Sequence, residues 1–465
     1  MEADPPHPQD PAMVALAALM RRGADSLAVG GAGGGPEELR LLRTLGYLPD
    51  PVPLATTANR TALLRAAADF VRVFQLHAPS APAMAVFGAE MRPPTVARAG
   101  WQGPLVGVSG TGLTPGQAFE ACIGEGVELL SQFETDDDAP RWRRGDGTAL
   151  GVAKTLRDLA QDASGWTDAS GGADATSGAT EIDWFPGQRV CDGTPVWLPV
   201  DFCLRRADGR RDFVPPYPLS IGCAAGPTRD DAAVHALLEL IERDAAALWW
   251  RGGRRGRALA LESPALRGAA AMLTQLRQGQ ASRTSWLLDI TTDIGVPAVA
   301  ALSCLPDGAG ICCGLAARPA MGDAACAAIL ELCQMELAGD VVLAKQREQG
   351  FAALNERDHA HLRRQASLRA DDCILLHPLP GLRQPEFRPG TNNNDTLRLL
   401  AARLAEHDMD TLAVELTRPG LDIPVMRMMC PGLELEPSRR VGARLRREIE
   451  RTGGGETYTG GVGLM

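Results

Sequence analysis

The sequence predicts a mixed α/β (α+β) protein, on three observations: apolar helical stretches that open on capping residues, short β-branched runs between them, and a composition suited to a packed core. Of 465 residues, 45% are hydrophobic and 22% charged, the proportions of a globular chain. The length allows two or three domains or one composite domain. Lys+Arg of 47 against Asp+Glu of 57 gives a net charge of −10, which argues against nucleic acid or an anionic membrane as partner. Aromatics at 5% leave few platforms for base stacking. The apolar run from Ala12 to Met20 falls far short of the ~20 residues of a membrane span. It follows an acidic, proline-rich opening, so no secretory signal is expected. Eleven cysteines form no C-x-x-C pair and sit mostly in apolar stretches, reading as reduced, buried residues of a cytoplasmic protein.

Along the chain, Asp10-Pro11 predicts a capped helix start before Ala12–Met20. A second amphipathic stretch runs from Thr57 to about Gln75, so residues 1–102 read as a helical N-terminal extension. Val29–Gly35 reads as a glycine-rich connection. Leu105–Val108 is a short apolar run, and Ser109-Gly110-Thr111-Gly112 a tight turn. Thr114-Pro115-Gly116-Gln117 then resembles a capping box opening a helix to about Phe133. Residues 163–180 have almost no apolar content and read as a flexible insertion. Strands are expected near Val190, over Val196–Phe202, Trp286–Ile290, Val296–Leu302, Ile311–Leu315, Leu412–Leu416 and Val425–Met429. Ser220–Gly226 reads as a small-residue turn. Helices are expected over Thr228–Trp250 and Gly322–Lys345, and residues 441–465 as a glycine-rich tail.

The informative residues are acids inside apolar helices. Glu125 and Glu128 are three apart and share a face, as do Glu239 and Glu242; Glu331 and Gln334 repeat the spacing. Carboxylates so placed repel one another unless a cation intervenes. Four hard oxygen ligands from two helices suit Mg²⁺ with bound phosphates. The residues alone leave a second reading open, in which each pair is a solvated helix face with Glu242 paired to Arg243 or Arg251. No Walker A loop is present, since Lys154 and Lys345 are the only lysines. His359 and His361 lie in a polar stretch and are expected at the surface.

These segments, in order over residues 103–440, resemble the YcaO family, which uses ATP to activate a peptide backbone amide. The strongest piece is Ser220-Ile221-Gly222-Cys223-Ala224-Ala225-Gly226-Pro227-Thr228, running into Glu239-Leu240-Ile241-Glu242-Arg243. Gly124-Glu125-Gly126-Val127-Glu128 is similar to the family's other acidic helix. Glu331-Leu332-Cys333-Gln334 resembles its later helix. Ile423-Pro424-Val425-Met426-Arg427 and Pro431-Gly432-Leu433-Glu434 resemble its C-terminal block.

The resemblance implies a YcaO-like fold with an ATP/Mg²⁺ site between helices. It implies Mg²⁺ on Glu125, Glu128, Glu239 and Glu242, and ATP contacts from Asp231, Arg243, Gln334 and Arg427. It further implies a precursor peptide as substrate, which itself brings the nucleophile, and a separate leader-peptide-binding partner protein. A homodimer is compatible. Four positions depart from the pattern: Ile221 and Pro227 where asparagine is usual, Thr111 for a lysine and Leu129 for an arginine. The chain also ends on Gly460–Met465 without the proline-rich ending typical of azoline-forming members. Azoline formation is therefore expected beside two alternatives, thioamide or amidine formation and a non-catalytic scaffold subunit.

Overall fold

In a computed structural model the described residues are 10–464, apart from 32, 50–52, 95–104, 146–155, 157, 158, 160–180, 281 and 382–386. The insertion expected at 163–180 lies outside them. Helix α1 (Pro11–Ala28) begins as expected, with the Asp10 carboxylate accepting the Ala12 amide at 2.9 Å. Helices α2 (Pro36–Thr44) and α3 (Leu54–Asp69) follow.

The helical stretch expected to reach Gln75 stops at Asp69 instead. Arg72–Leu76 forms strand β1, which pairs with β2 (Ala85–Met91), and β2 pairs with β3 (Val106–Gly112). Val73 and Phe74 suit a strand as well as a helix face. The Arg72 guanidinium fixes the register by bonding Glu90 opposite it at 2.6 and 2.7 Å. Residues 1–102 are thus only partly helical, and a boundary at 103 cuts through one sheet. Ser109–Gly112, expected as a turn, completes β3.

Helix α4 (Pro115–Ser131) packs on this sheet. Thr114 accepts the Gln117 amide at 3.3 Å, while the Gln117 side chain accepts from Leu113 rather than closing a box on Thr114. Next come β4 (Arg143–Gly145), β5 (Ile182–Arg189), β6 (Pro195–Pro199) and β7 (Cys223–Ala225). Helix α5 (Arg229–Trp250) follows. Strand β8 (Arg257–Ala258), helix α6 (Arg267–Arg277), then β9 (Thr284–Asp289), β10 (Ala298–Cys304) and β11 (Cys312–Ala317) lead to helix α7 (Met321–Gln349). Helices α8 (Glu356–Ser367) and α9 (Asn393–Ala405) precede β12 (Leu412–Glu415) and β13 (Val425–Met429). The chain closes with α10 (Ala443–Thr452) and α11 (Glu456–Thr459).

Three antiparallel sheets result. Their orders are β1-β2-β3, β11-β10-β9-β8, and β4-β5-β12-β13-β7 with β6 on the flank of β5. Each carries a long helix: α4 on β3, α7 on β11, and α5 on β7 and β13. Each helix also reaches a second sheet: α4 touches β7 and β13, α5 touches β11, and α7 touches β3. The three sheet–helix units therefore interlock, and their helices converge.

The approach of strand to helix is set by glycine. A Cβ on Gly110 of β3 would lie 2.1 Å from the Cys122 amide nitrogen of α4, and one on Gly314 of β11 2.2 Å from that of Leu332 in α7. The C-terminal segment is not a loose tail. The Trp250 indole donates to the Val462 carbonyl at 2.7 Å, Leu464 is buried, and Arg444 bonds both Asp244 carboxylate oxygens at 3.0 Å. His361, expected at the surface, is buried on α8.

We predict that Gly110→Ala and Gly314→Ala each destabilise the protein by about 1–3 kcal/mol, because backbone must move to admit the methyl group. Urea unfolding midpoints measure this; an unchanged midpoint for both would mean that the close approach is not what holds strand and helix together.

Candidate active site

On α4, Gly126 lies between the two acids and faces the Phe70 ring, which a Cβ there would meet at 2.6 Å. That close packing of one helix face against the core leaves Glu125 and Glu128 to the other. On α5, Glu239 accepts the Gly222 amide at 2.9 Å, while Glu242 is buried. Gly222 has φ of +77° and a Cβ would meet the Met428 carbonyl oxygen at 2.6 Å, so only glycine brings this amide to the carboxylate. On α7, Glu331 accepts the Leu315 amide at 2.8 Å. Two of the acids are thus pinned by backbone N–H groups of the segments their helices pack against.

The electrostatics join the three helices. Glu125 stands at the exposed rim, yet partial loss of hydration, and then Glu239, push its carboxyl up to about 7. Burial and then Glu242 push Glu239 up to about 7, against the pull of Arg243. Glu128 is held well above the usual carboxylate range by burial, then by Glu239 and Glu125. Burial, then Glu242, raises Glu331 to about 8.

Five carboxylates from three helices face a small set of guanidiniums. Arg243 lies 3.5 Å from both Glu239 and Glu242. Arg427 of β13 is 1% exposed and bonded to the carbonyls of Leu219 and Ile221. Its charge lowers the pKa of Glu128 and Glu239. Arg251, the other candidate partner of Glu242, pairs with Glu436 instead.

The structure thus brings Glu125, Glu128, Glu239, Glu242, Arg243 and Arg427 together. The other two expected ATP contacts are engaged with other partners. Gln334 donates to the Ser109 hydroxyl at 2.9 Å and accepts from Thr111 at 3.4 Å, fastening α7 to β3. Asp231 accepts from Thr228 at 2.7 Å and from Asn393, and its eight-residue separation from Glu239 is about 12 Å along α5.

Two residues join the cluster that the sequence reading did not assign to it. Glu331 was legible as one of a spaced pair, but only the fold shows that it, rather than Gln334, meets Glu242. Arg205 carries no sequence signal. It donates to Gln132 at 2.8 Å, Gln132 donates to Glu128 at 3.0 Å, and its charge lowers the pKa of Glu128. Arg205 also lines a cavity of about 830 Å³ with Leu129, Phe133, Tyr217 and Leu219, which begins one residue beyond Glu128.

Uncompensated hard oxygens fit Mg²⁺. Among the described residues, no group of three His, Cys, Asp or Glu side chains is placed to hold a metal ion by itself. The crowded carboxylates of Glu125, Glu128, Glu239, Glu242 and Glu331 are hard oxygen donors of the kind Mg²⁺ takes beside phosphate oxygens.

Residues 109–434 match the family described as YcaO cyclodehydratase, ATP- and Mg²⁺-binding. That is well over half of the chain, which belongs to the YcaO family. Among solved structures, a heterocyclase in complex with substrate and cofactor superposes with a TM-score of 0.68 at 20% identity, covering 90% of this chain and 59% of that one. YcaO from Methanopyrus kandleri bound with AMPPCP and Mg²⁺ gives 0.53 at 19% identity, covering 85% and 90%. The E. coli microcin synthetase McbBCD complex with pro-MccB17 bound gives 0.55 at 13%, covering 78% and 88%. At these identities the likeness is one of fold. An uncharacterised protein of the tfuA 3′ region of Rhizobium leguminosarum bv. trifolii is 33% identical over 123 residues, a match spanning 26% of this chain and 29% of that relative. Among the described residues no helix is long and apolar enough to cross a membrane.

The raised carboxyls predict a pH dependence. A carboxyl near 4.5 when unfolded and at 7–8 when folded gives stability that is full below about pH 4.5 and is lost as the pH climbs through 7 to 8. In chelator, the melting temperature should therefore fall from pH 5 to pH 8. Glu331→Gln should melt above wild type at pH 8 and alongside it at pH 5. Equal melting of the two at both values would mean that the acids do not crowd one another.

Proposed function

We propose that the chain is an ATP- and Mg²⁺-dependent enzyme that activates a backbone amide of a ribosomally made precursor peptide, with cyclodehydration of Cys, Ser or Thr to an azoline as the outcome. The observation that carries this is the cluster of five carboxylates on three helices, inside the segment that matches an ATP- and Mg²⁺-binding family. Glu125, Glu128, Glu239 and Glu242, joined by Glu331, would hold Mg²⁺. Arg243 and Arg427 would bind phosphate, with Asp231 and Gln334 at the edges of the nucleotide. When bound, ATP with Mg²⁺ supplies a phosphoryl donor that turns the amide-derived oxygen into a leaving group.

The chain's own contribution is positioning and charge. The guanidinium of Arg427 is fixed by backbone carbonyls, so it costs no reorganisation as negative charge builds. The cavity beside Glu128, walled by Leu129, Phe133 and Tyr217 and by the guanidiniums of Arg205, Arg206 and Arg211, is large enough for a peptide segment and offers it both apolar and charged surface. No catalytic Cys/His pair is needed, since the substrate side chain is the nucleophile. All five carboxylates come from one chain, so a second copy is not required to assemble them. McbBCD is a complex with pro-MccB17 bound; by analogy a leader-binding partner belongs to this reading.

A scaffold role is the second reading, favoured by one observation: Thr111, where the family commonly has lysine, bonds Gln334 and brings no charge to the cluster.

Calorimetric titration with ATP, with and without Mg²⁺, tests the site. Saturable Mg²⁺-dependent binding is expected, weakened by at least about tenfold in Glu239→Ala/Glu242→Ala. Unchanged binding in that variant would end the assignment. With peptide and partner present, mass spectrometry then decides the outcome: loss of water for ring closure, exchange of oxygen for sulfur for a thioamide, and no change for a scaffold.

A further inference from the structure

A second cavity, of about 900 Å³, lies past the C-terminal end of α5. Its nearest helix residue, Leu248, is six residues beyond Glu242, about 9 Å along the axis. Three sequence-distant segments wall it: the loop Gly253-Arg254-Arg255-Gly256-Arg257, the end of β9 with Asp289 to Asp293, and helix α10. Loop and tail are locked together, since Gly253, at φ of +73°, packs directly on Gly454 and the Thr452 hydroxyl donates to the Gly252 carbonyl.

Six arginines line this space against three carboxylates, in a chain whose net charge is −10. Some of that charge is already matched. Arg444 bonds Asp244 and Asp293, and Arg451 pairs with Glu448. Three guanidiniums are not matched by any acid among the described residues. Arg255 and Arg257 donate only to the carbonyls of His377 and Pro380, at 3.2 and 3.4 Å, and the buried Nε of Arg255 has no partner. Arg447, one turn before Arg451 on α10, is exposed into the same space.

Unpaired guanidiniums crowded in one hollow repel each other, and their planar forks match carboxylates. The volume corresponds to about thirty water molecules, far more than one phosphate fills. Half-buried Leu379 and exposed Tyr458 also line the cavity, apolar surface that a small inorganic anion does not use but that the methylene stems of acidic side chains do.

We propose that this cavity binds an acidic peptide segment, with Arg255, Arg257 and Arg447 as its carboxylate receptors. The proposal is independent of the amide chemistry above, and its probe contains no Cys, Ser or Thr.

The test is fluorescence anisotropy of full-length protein with a labelled ten-residue oligoglutamate, against a labelled Gly/Asn peptide of equal length. Saturable binding of the oligoglutamate alone is expected, weakening with salt. Arg255→Gln/Arg257→Gln/Arg447→Gln should weaken it by at least about tenfold, with an unchanged urea midpoint as the folding control. If that variant unfolds, the exposed Arg447→Gln alone should still weaken binding by about threefold. No saturable binding by wild type, or unchanged affinity in the folded variant, overturns the proposal. So does tripolyphosphate displacing the peptide at equal charge concentration, which would make this a small-anion site.

Discussion

Like charges do not gather on their own, and the rest of this fold is arranged around forcing five of them together. Two unit charges 4 Å apart repel by about 4 kcal/mol at an effective dielectric near 20. A cluster on three helices has several such terms. The fold offsets them in three ways: a shift toward the neutral form, as burial and neighbouring acids raise the carboxyls of Glu239 and Glu331; donated backbone amides from Gly222 and Leu315; and the guanidiniums of Arg243 and Arg427. None of these matches the acids fully. What holds the helices in place is apolar burial elsewhere, in the three core clusters that back α4, α5 and α7 away from the acids.

Helix α5 carries two differently partnered acids within two residues. Asp244 is fully buried and accepts the Glu434 amide at 3.0 Å and the Arg444 guanidinium on both oxygens. Removing either partner would strand a charge in the core. Glu242 has only the Arg243 guanidinium at 3.5 Å and faces Glu239 and Glu331 besides. The first carboxylate, fully partnered, locks the C-terminal helix to the core; the second, beside like charges, carries the poorer match that makes a buried acid a candidate for ligand binding.

Much of this was legible in the sequence, and the failures have definite causes. Spacing on an apolar helix puts Glu125 with Glu128 and Glu239 with Glu242, because i,i+3 neighbours share a face whatever the tertiary structure. It cannot tell which of Glu331 and Gln334 meets the other helices, since that depends on how α7 is rotated against β3 and β11. Arg205 lies far along the chain from Glu128 and reaches it through Gln132, a relation no local pattern encodes. Strand β1 escaped because the residues around Val73 satisfy both periods. The glycine-rich end reads as loose because the carbonyl that takes the Trp250 indole is 212 residues away.

The departures from the family pattern look different once the geometry is known. They remove polar or basic side chains at residues 111, 129, 221 and 227. The cluster, however, is set mainly by backbone, through three close approaches at Gly110, Gly222 and Gly314, where a Cβ would fall 2.1, 2.6 and 2.2 Å from main-chain atoms. Leu129 forms part of the cavity wall while Arg205, from another element, brings positive charge toward Glu128. Ile221 contributes a buried side chain and a carbonyl to Arg427, a role its backbone fills whatever the side chain. The substitutions therefore alter what surrounds the acids and leave intact what brings them together, which is the part of a metal–phosphate site that side-chain exchange cannot rebuild.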